Sequence, residues 1–245
     1  MKKVLAGVVM GLALGAVSAV SAVDLSVGGG GFFASDFGGG LLGVSAKSAS
    51  ADIEMKQSVP WYGGGIQVFF DAAYAEIGLG LTFAGGTLST ERTRAGETVK
   101  DDTSTTASGT GLNISVLGKY PIALSDAVTL FPTAGIDYAT CLSASYTSGG
   151  KTHDFDGKTD DGNPSEGEPK AGDFSSLWIK FGVGLDYNLS DKLFLRPTVL
   201  YGIRLANKSE NDMVDDMKVG APSDAEINSV LGHGLTVKVG IGFKL

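Results

Sequence analysis

Hydrophobic and polar residues alternate along the stretch from Leu177 to Leu205, which a turn at 190–192 divides into two segments. Odd-numbered positions are apolar or aromatic apart from one proline, and even-numbered positions carry nearly all the polar, charged and glycine residues. Because successive side chains of a β-strand point to opposite faces, the pattern predicts a hairpin with one apolar face. Each segment reaches the roughly 9 to 11 residues that a tilted strand needs to cross a bilayer.

The same alternation recurs in six further segments, which gives eight predicted strands. They cover 23–33, 61–70, 74–84, 112–120, 128–146, 177–189, 193–205 and 235–245. Three of the connections are short, at 71–73, 122–127 and 190–192, and four are long, at 34–60, 85–110, 147–173 and 206–234. An even strand number with short periplasmic turns and long outer loops is typical of outer-membrane barrels. We therefore predict an all-β fold, an eight-stranded antiparallel up-and-down transmembrane barrel.

The long loops are polar and in part strongly acidic. Residues 151–173 hold seven acidic residues against three lysines, and 208–226 hold six against two. Such segments can stay solvated or extend the strands beyond the membrane. The sequence Ser-Asp-Ala-Glu at 223–226 fits a capping box and predicts a helix there. The acidic run from Asp154 does not fit a calcium loop, because Lys158 takes a ligand position and Thr159 takes the place of the turn glycine. We expect no metal and no cofactor.

The first 22 residues have the features of a cleavable signal peptide. Lys2 and Lys3 precede a short apolar run, and small residues permit cleavage after Ala19 or Ala22. We therefore predict a signal peptide at 1–22, a barrel domain at 23–245 and an outer-membrane location. Without Lys2 and Lys3, 17 basic residues face 27 acidic ones, a net charge near −10. This acidity argues against a nucleic-acid partner.

Alternation alone is compatible with two kinds of barrel: a membrane barrel that is apolar outside, and a soluble lipocalin-like barrel that is apolar inside. The polar face here is mostly glycine, serine, threonine and asparagine, which suits a narrow interior better than a water-exposed surface. Aromatic residues near strand ends are candidates for the two interfacial girdles of a membrane barrel, namely Tyr62, Phe70, Phe83, Tyr120, Tyr187, Tyr201 and Phe243.

The parity of a residue, meaning which of the two alternating faces of its strand it lies on, also assigns charged residues to the interior of the barrel. This predicted charge network consists of Glu76, Lys119, Asp137, Lys180, Asp186, Arg196, Arg204, Lys238 and Lys244. If Leu189 pairs with Leu193, the residue numbers of any two facing residues in this hairpin add up to 382, so that Asp186 lies opposite Arg196. Interior glycines could leave a cavity or admit large side chains, and we favour the second. Cys141 has interior parity and is expected to be a small buried filler rather than a reactive thiol.

The chain resembles known small outer-membrane barrels. The signal peptide, the eight alternating strands and the final strand at 235–245 are similar to the OmpX, OmpA-transmembrane and OmpW type, and the segments 119–122, 130–138 and 201–207 are similar to predicted barrel proteins of spirochaetes. The chain departs from the common pattern in ending on Phe243-Lys244-Leu245 rather than on an aromatic residue. The resemblance implies a membrane barrel and specifies no chemistry.

Two functions remain open from the sequence. The first is a monomeric structural or surface-interaction protein, held in outer-membrane lipid, inserted through its C-terminal strand by the barrel insertion machinery, and binding an unknown surface ligand through its loops. The second is an OmpW-like conduit for small hydrophobic solutes. We expect no enzyme, because neither His153 nor His233 is accompanied by a nucleophile and an acid in a recognisable pattern.

Overall fold

The computed structural model describes residues 25–37, 43–48, 53–94, 96–156, 170–205, 207–219, 221 and 224–245. The predicted signal peptide at 1–22 lies outside these residues. The strands are β1 (Leu25–Asp36), β2 (Gly43–Ser48), β3 (Ile53–Ser58), β4 (Trp61–Ala72), β5 (Ala75–Arg94), β6 (Glu97–Lys119), β7 (Ile122–Ser125), β8 (Val128–Ser148), β9 (Lys151–Asp154), β10 (Ser176–Asn188), β11 (Leu193–Arg204), β12 (Ala225–Ser229) and β13 (Gly232–Lys244). A short 3₁₀ helix covers Ala171–Phe174, and one α-helix, α1, covers Lys208–Lys218.

Eight long strands form a closed antiparallel ring. Their order around the ring is β1, β4, β5, β6, β8, β10, β11 and β13, and β13 returns to pair with β1. The predicted all-β class and the count of eight barrel strands are therefore confirmed. We call the end that carries the short connections the turn side and the opposite end the loop side.

The β10–β11 hairpin has the predicted register. Phe181 faces Tyr201 and Asn188 faces Phe194, so that facing positions sum to 382. The turn is closed by the Leu189 N–H, which donates to the Leu193 carbonyl at 2.8 Å, and by the Ser190 hydroxyl, which accepts from the Leu193 N–H at 3.1 Å. A one-residue slip would exchange the two faces along both strands, which is why the alternation specifies this register.

All four long connections contain more regular structure than the alternation predicted. In the 147–173 connection these are β9, which pairs with β8, and the 3₁₀ helix. β5 and β6 continue beyond the ring as a hairpin, and β3 pairs with the outer part of β5 from Ser89 to Arg94. β2 pairs with β3, and β12 pairs with β2. We call this sheet, formed by β2, β3, β12 and the outer part of β5 and β6, the loop-side extension. The helix predicted at 223–226 is wrong: Ala225–Ser229 is a strand, residue 223 is not described, and the helix lies at Lys208–Lys218.

A small hydrophobic core holds α1 on the loop-side extension. Val44 from β2, Val214 from α1 and Ile227 from β12 are buried together, and Ala46 and Met217 pack against them. These contacts join segments that are far apart in sequence, so they cannot be predicted from a local periodicity.

The ring turns its apolar face outward. Ile66, Val68, Val239 and Ile241 each expose more than half of their surface, while the alternate positions are buried on β13 and buried or half-buried on β4. A soluble lipocalin-like barrel requires the opposite arrangement, because its apolar face must line the interior. No helix among the described residues is long and apolar enough to span a membrane.

Candidate functional site

Arg196 lies at the centre of a buried ion cluster in the turn-side half of the barrel. Its guanidinium donates to both carboxylate oxygens of Asp186 at 2.6 and 2.7 Å, to Glu76 at 2.8 Å and to Asp71 at 2.6 Å. Lys119 donates to the same oxygen of Asp71 at 2.5 Å. We call these five residues the Arg196 cluster. The planar fork of arginine explains how one cation serves three carboxylates from different strands.

Three phenylalanine rings surround the same guanidinium. The rings of Phe69, Phe131 and Phe194 lie 4.9, 5.1 and 4.8 Å from its central carbon. Interior glycines at 28, 184 and 242 make room for these rings, because a Cβ at each would overlap one of them. The turn-side half of the interior is therefore filled with side chains, as the sequence favoured.

A second ion pair lies nearer the middle of the barrel. Lys180 donates to Asp137 at 2.9 Å, and both side chains are buried. Asn113 donates to the other carboxylate oxygen of Asp137 at 3.2 Å and accepts a hydrogen bond from Thr82. The Lys180 ammonium also lies 5.7 Å from the Trp178 ring. Asp137 is thus satisfied by a cation and an amide.

Lys238 is the exception among the predicted interior charges. It is only 5% exposed, yet none of the hydrogen bonds and ion pairs between described residues includes its ammonium. The charges that act on it are Glu76, Asp137 and Lys180, and each of these already has a partner. Lys244 makes no ion pair in the described part of the chain either, but it is partly exposed at the turn side.

The loop-side half of the interior contains a cavity of about 120 Å³. Its deepest part is bounded by Lys238, Lys180, Asp137 and Phe32, and its walls are mainly small side chains from β5, β6 and β8. Cys141 lines it, as its parity predicted, but it is a half-buried free thiol beside a cavity rather than the buried filler expected from the sequence. We call this space the loop-side cavity. Both outcomes considered from the sequence therefore occur: interior glycines admit large side chains in the turn-side half and line a cavity in the loop-side half.

Arg204 ties α1 to the end of the barrel. Its guanidinium donates to both carboxylate oxygens of Glu210 at 2.6 and 2.9 Å and to Asp36 at 3.3 Å. Glu210 is fully buried and also accepts from the N–H groups of Gly43 and Asn207 at 2.8 and 3.0 Å. Asn207 caps α1 by accepting from the Glu210 N–H at 2.9 Å, which completes a capping box.

A more exposed ion pair links α1 to the 3₁₀ helix. Lys208 lies 3.2 Å from Asp173 and 2.8 Å from Asp212. Hydrogen bonds to Asp212 and Asp173 raise the pKa of Lys208. Slight burial opposes the shift at Asp173, but hydrogen bonds from the Lys170 backbone and from Lys208 lower the pKa of its carboxyl group.

Sequence reasoning missed three acids of these clusters. Asp71 and Asp36 have interior parity but were assigned to a turn and to a long loop, so extending the alternation by a few residues would have found them. Glu210 could have been noticed only through the Asn207-x-x-Glu210 capping pattern. The predicted network is not continuous: it divides into the Arg196 cluster, the Lys180–Asp137 pair and the Arg204 group.

The predicted aromatic girdles all point outward. On the turn side lie Phe70, Tyr120, Tyr187 and Phe243, and on the loop side lie Tyr62, Phe83 and Tyr201. Phe33, Tyr74 and Tyr138 are also exposed on this face. Tyr62 and Phe70 are eight residues apart on β4, which is about 27 Å along the strand and about 21 Å across a membrane at a tilt of about 40°.

The two histidines lie among aromatic rings. His153 stacks on Tyr146 with ring centroids 5.0 Å apart, and His233 lies between Phe37 and Tyr201 at 6.4 and 6.0 Å. His233 occupies the outward-facing parity of β13, opposite to that of the interior carboxylates. The described residues contain no cluster of metal-ligating side chains.

No family model and no curated protein matches the chain. Among solved structures, the chain is similar to the outer membrane protein OprG from Pseudomonas aeruginosa, with 11% identity, 91% of this chain and 96% of that chain covered, and a TM-score of 0.41. It is also similar to Neisserial surface protein A, with 12% identity, coverage of 92% and 100%, and a TM-score of 0.42. A major outer membrane protein from Thermus thermophilus gives 14% identity, coverage of 92% and 100%, and a TM-score of 0.40. The fold follows from the ring of strands itself.

Proposed function

We propose that this chain is an integral β-barrel protein of the outer membrane that interacts with partners at the cell surface and does not form an open pore. The observation that carries the proposal is the outward apolar belt bounded by two rows of aromatic residues. A contiguous apolar belt around a whole barrel is incompatible with water but matches the lipid-facing band of membrane barrels, which is about 25 Å tall.

The filled turn-side half supports the absence of a pore. The Arg196 cluster and its three phenylalanine rings occupy the bore that an ion would have to cross. Separating these charges to open a path for water would cost free energy, because a buried charge without a partner is strongly unfavourable. We expect the protein to be a monomer without enzymatic activity.

The loop-side extension supports a surface-interaction role. It presents β-strands and a docked helix beyond the aromatic row, and α1 displays exposed acids such as Asp212 and Asp215 toward solvent. We propose that these acidic loop-side surfaces contact the partner, and that the insertion machinery recognises β13. Nucleic acid is disfavoured by the acidic net charge.

Limited proteolysis of intact cells tests the orientation. Trypsin should cleave at Arg92 or Arg94, which are exposed near the tip of the loop-side extension, and leave the barrel as a protected core. Lys192 in the β10–β11 turn is the matched control and should be cut only after the outer membrane is permeabilised. Cleavage at Lys192 in intact cells would invert the proposed orientation, and full aqueous solubility would contradict the membrane assignment.

A conduit for small hydrophobic solutes is the second candidate, and the loop-side cavity is the observation in its favour. Straight passage is obstructed by the Arg196 cluster. A sideways exit would need a break in the ladder. The glycines at 28–31 pair with both neighbouring strands and Pro132 pairs with Val183, but the β10–β11 ladder omits the two pairs at 185/197 and 186/196. The register is the same on both sides of this gap, and the gap lies beside the Arg196 cluster rather than beside the cavity. The geometry therefore favours entry into the cavity over passage through the barrel.

A further inference from the structure

We propose that the loop-side cavity binds a single-chain aliphatic anion, whose head group pairs with Lys238 while its chain lies along the cavity toward the loop side. This binding site goes beyond the surface-interaction role. It would make the barrel a receptor for a small amphipathic molecule, independently of what the loop-side extension contacts.

The first argument is the state of Lys238. Buried ammonium groups in proteins are paired or hydrogen-bonded, because an isolated buried charge carries a large desolvation cost. The nearby carboxylates make no ion pair with it: Glu76 pairs with Arg196, and Asp137 pairs with Lys180. An anion in the cavity would supply the missing partner.

The second argument is the chemistry of the walls. Above Lys238 the cavity is lined by small or apolar groups, including Gly80, Ala84, Ala139 and Gly202, with Trp178 on one side. Hydroxyl groups such as those of Thr82, Thr110 and Thr140 also line the cavity, but most of its exposed wall is apolar, which favours an apolar chain over a polyol or a peptide. One unpaired cation at the deep end and mostly apolar walls above it match a molecule with a single charged end.

The third argument is access. The cavity reaches from Lys238 to Val59, Phe174 and Asn207 at the loop side, whereas the Arg196 cluster fills the space below. At the level of Lys238 the ladder is continuous on both sides, through Phe32 and Thr198. Because the ladder is closed toward the bilayer, we place the entry at the loop-side end, where α1 docks, and expect no access for a two-chain lipid of the surrounding bilayer.

Cys141 provides a reporter inside the same cavity. The barrel, refolded in phosphatidylcholine nanodiscs, is treated with a small methanethiosulfonate reagent with and without octanoate. Octanoate should slow Cys141 modification in a saturable manner. Octanol should act only at concentrations about tenfold or more higher, since its hydroxyl oxygen can accept a hydrogen bond from the ammonium but carries no negative charge. Adding phosphatidylglycerol to the nanodiscs in place of octanoate should give no protection.

Three variants assign the effect to Lys238. Lys238→Met should weaken protection by octanoate about tenfold or more, Lys238→Arg should retain it, and Lys244→Met, on the same strand but outside the cavity, should leave it unchanged. Heat-modifiable gel migration verifies that each variant is folded. Equal protection by octanol and octanoate, protection by phosphatidylglycerol alone, or no protection by octanoate would each overturn the proposal. Tryptic surface cleavage is unaffected by any of these outcomes, so failure here is distinguishable from failure of the surface role.

Discussion

Arg196→Met should be the most destabilising single substitution among the interior charges. In the native barrel three carboxylates, Asp71, Glu76 and Asp186, are balanced by Arg196 and Lys119. The substitution leaves three buried negative charges facing one lysine. Each lost pair is worth about 4 kcal/mol at about 4 Å and an effective dielectric constant near 20. Because carboxyl groups can take up protons and the site can admit water, we expect a net loss of about 3 to 5 kcal/mol.

The charge balance predicts which further substitutions restore stability. Asp186→Asn alone should cost about 1 to 2 kcal/mol, because Arg196 keeps two acids. Asp186→Asn together with Arg196→Met should remain strongly destabilised, since Glu76 stays unpaired. Adding Glu76→Gln should recover most of the loss, because Asp71 and Lys119 then form a neutral pair.

The assay is reversible unfolding in urea from phospholipid vesicles, followed by the fluorescence of the two tryptophans. Exposed Arg92→Met is the matched control and should change the free energy of unfolding by less than about 0.5 kcal/mol. If the double and triple variants are equally unstable, or if Arg196→Met behaves like the control, the charge-balance reasoning is refuted.

Three further predictions concern other parts of the molecule. Gly30→Ala should destabilise the barrel by about 1 to 3 kcal/mol, because the added Cβ would overlap the Val239 carbonyl. Gly31→Ala should be neutral, because the atom nearest to its added Cβ lies 3.7 Å away. Equal free energies of unfolding for the two variants would contradict this. Glu210→Ala should lower the protection of α1 amides against hydrogen exchange by about 3 kcal/mol and leave the protection of β11 amides unchanged. Unaltered exchange in α1 would contradict the role of the Glu210–Arg204 ion pair in holding the helix. The purified barrel should show no resolved single-channel steps in planar bilayers, and steady steps would contradict the filled turn-side half.

The sequence was most informative where structure repeats every two residues. Alternation located the ring strands, the β10–β11 register and the side of the barrel on which Asp186 and Arg196 lie. It could not locate β2, β3 and β12, because their pairing depends on non-local contacts of Val44 and Ile227 that leave no period in the sequence. Lys238 had the right parity, but its lack of a partner depends on how Arg196 and Lys180 share the nearby acids.

The pairing of β1 with β13 has a consequence for the order in which the barrel assembles. Every other contact in the ring joins strands that follow one another among the barrel strands, whereas Ser26 pairs with Lys244 near the two ends of the described chain. Closing so long a segment costs about 2 kcal/mol more in chain entropy than closing one of about 20 residues. The seam between β1 and β13 should therefore form last, and its uninterrupted ladder, with partners from Ser26 to Asp36, supplies the contacts that convert an open sheet into a cylinder in a single late step.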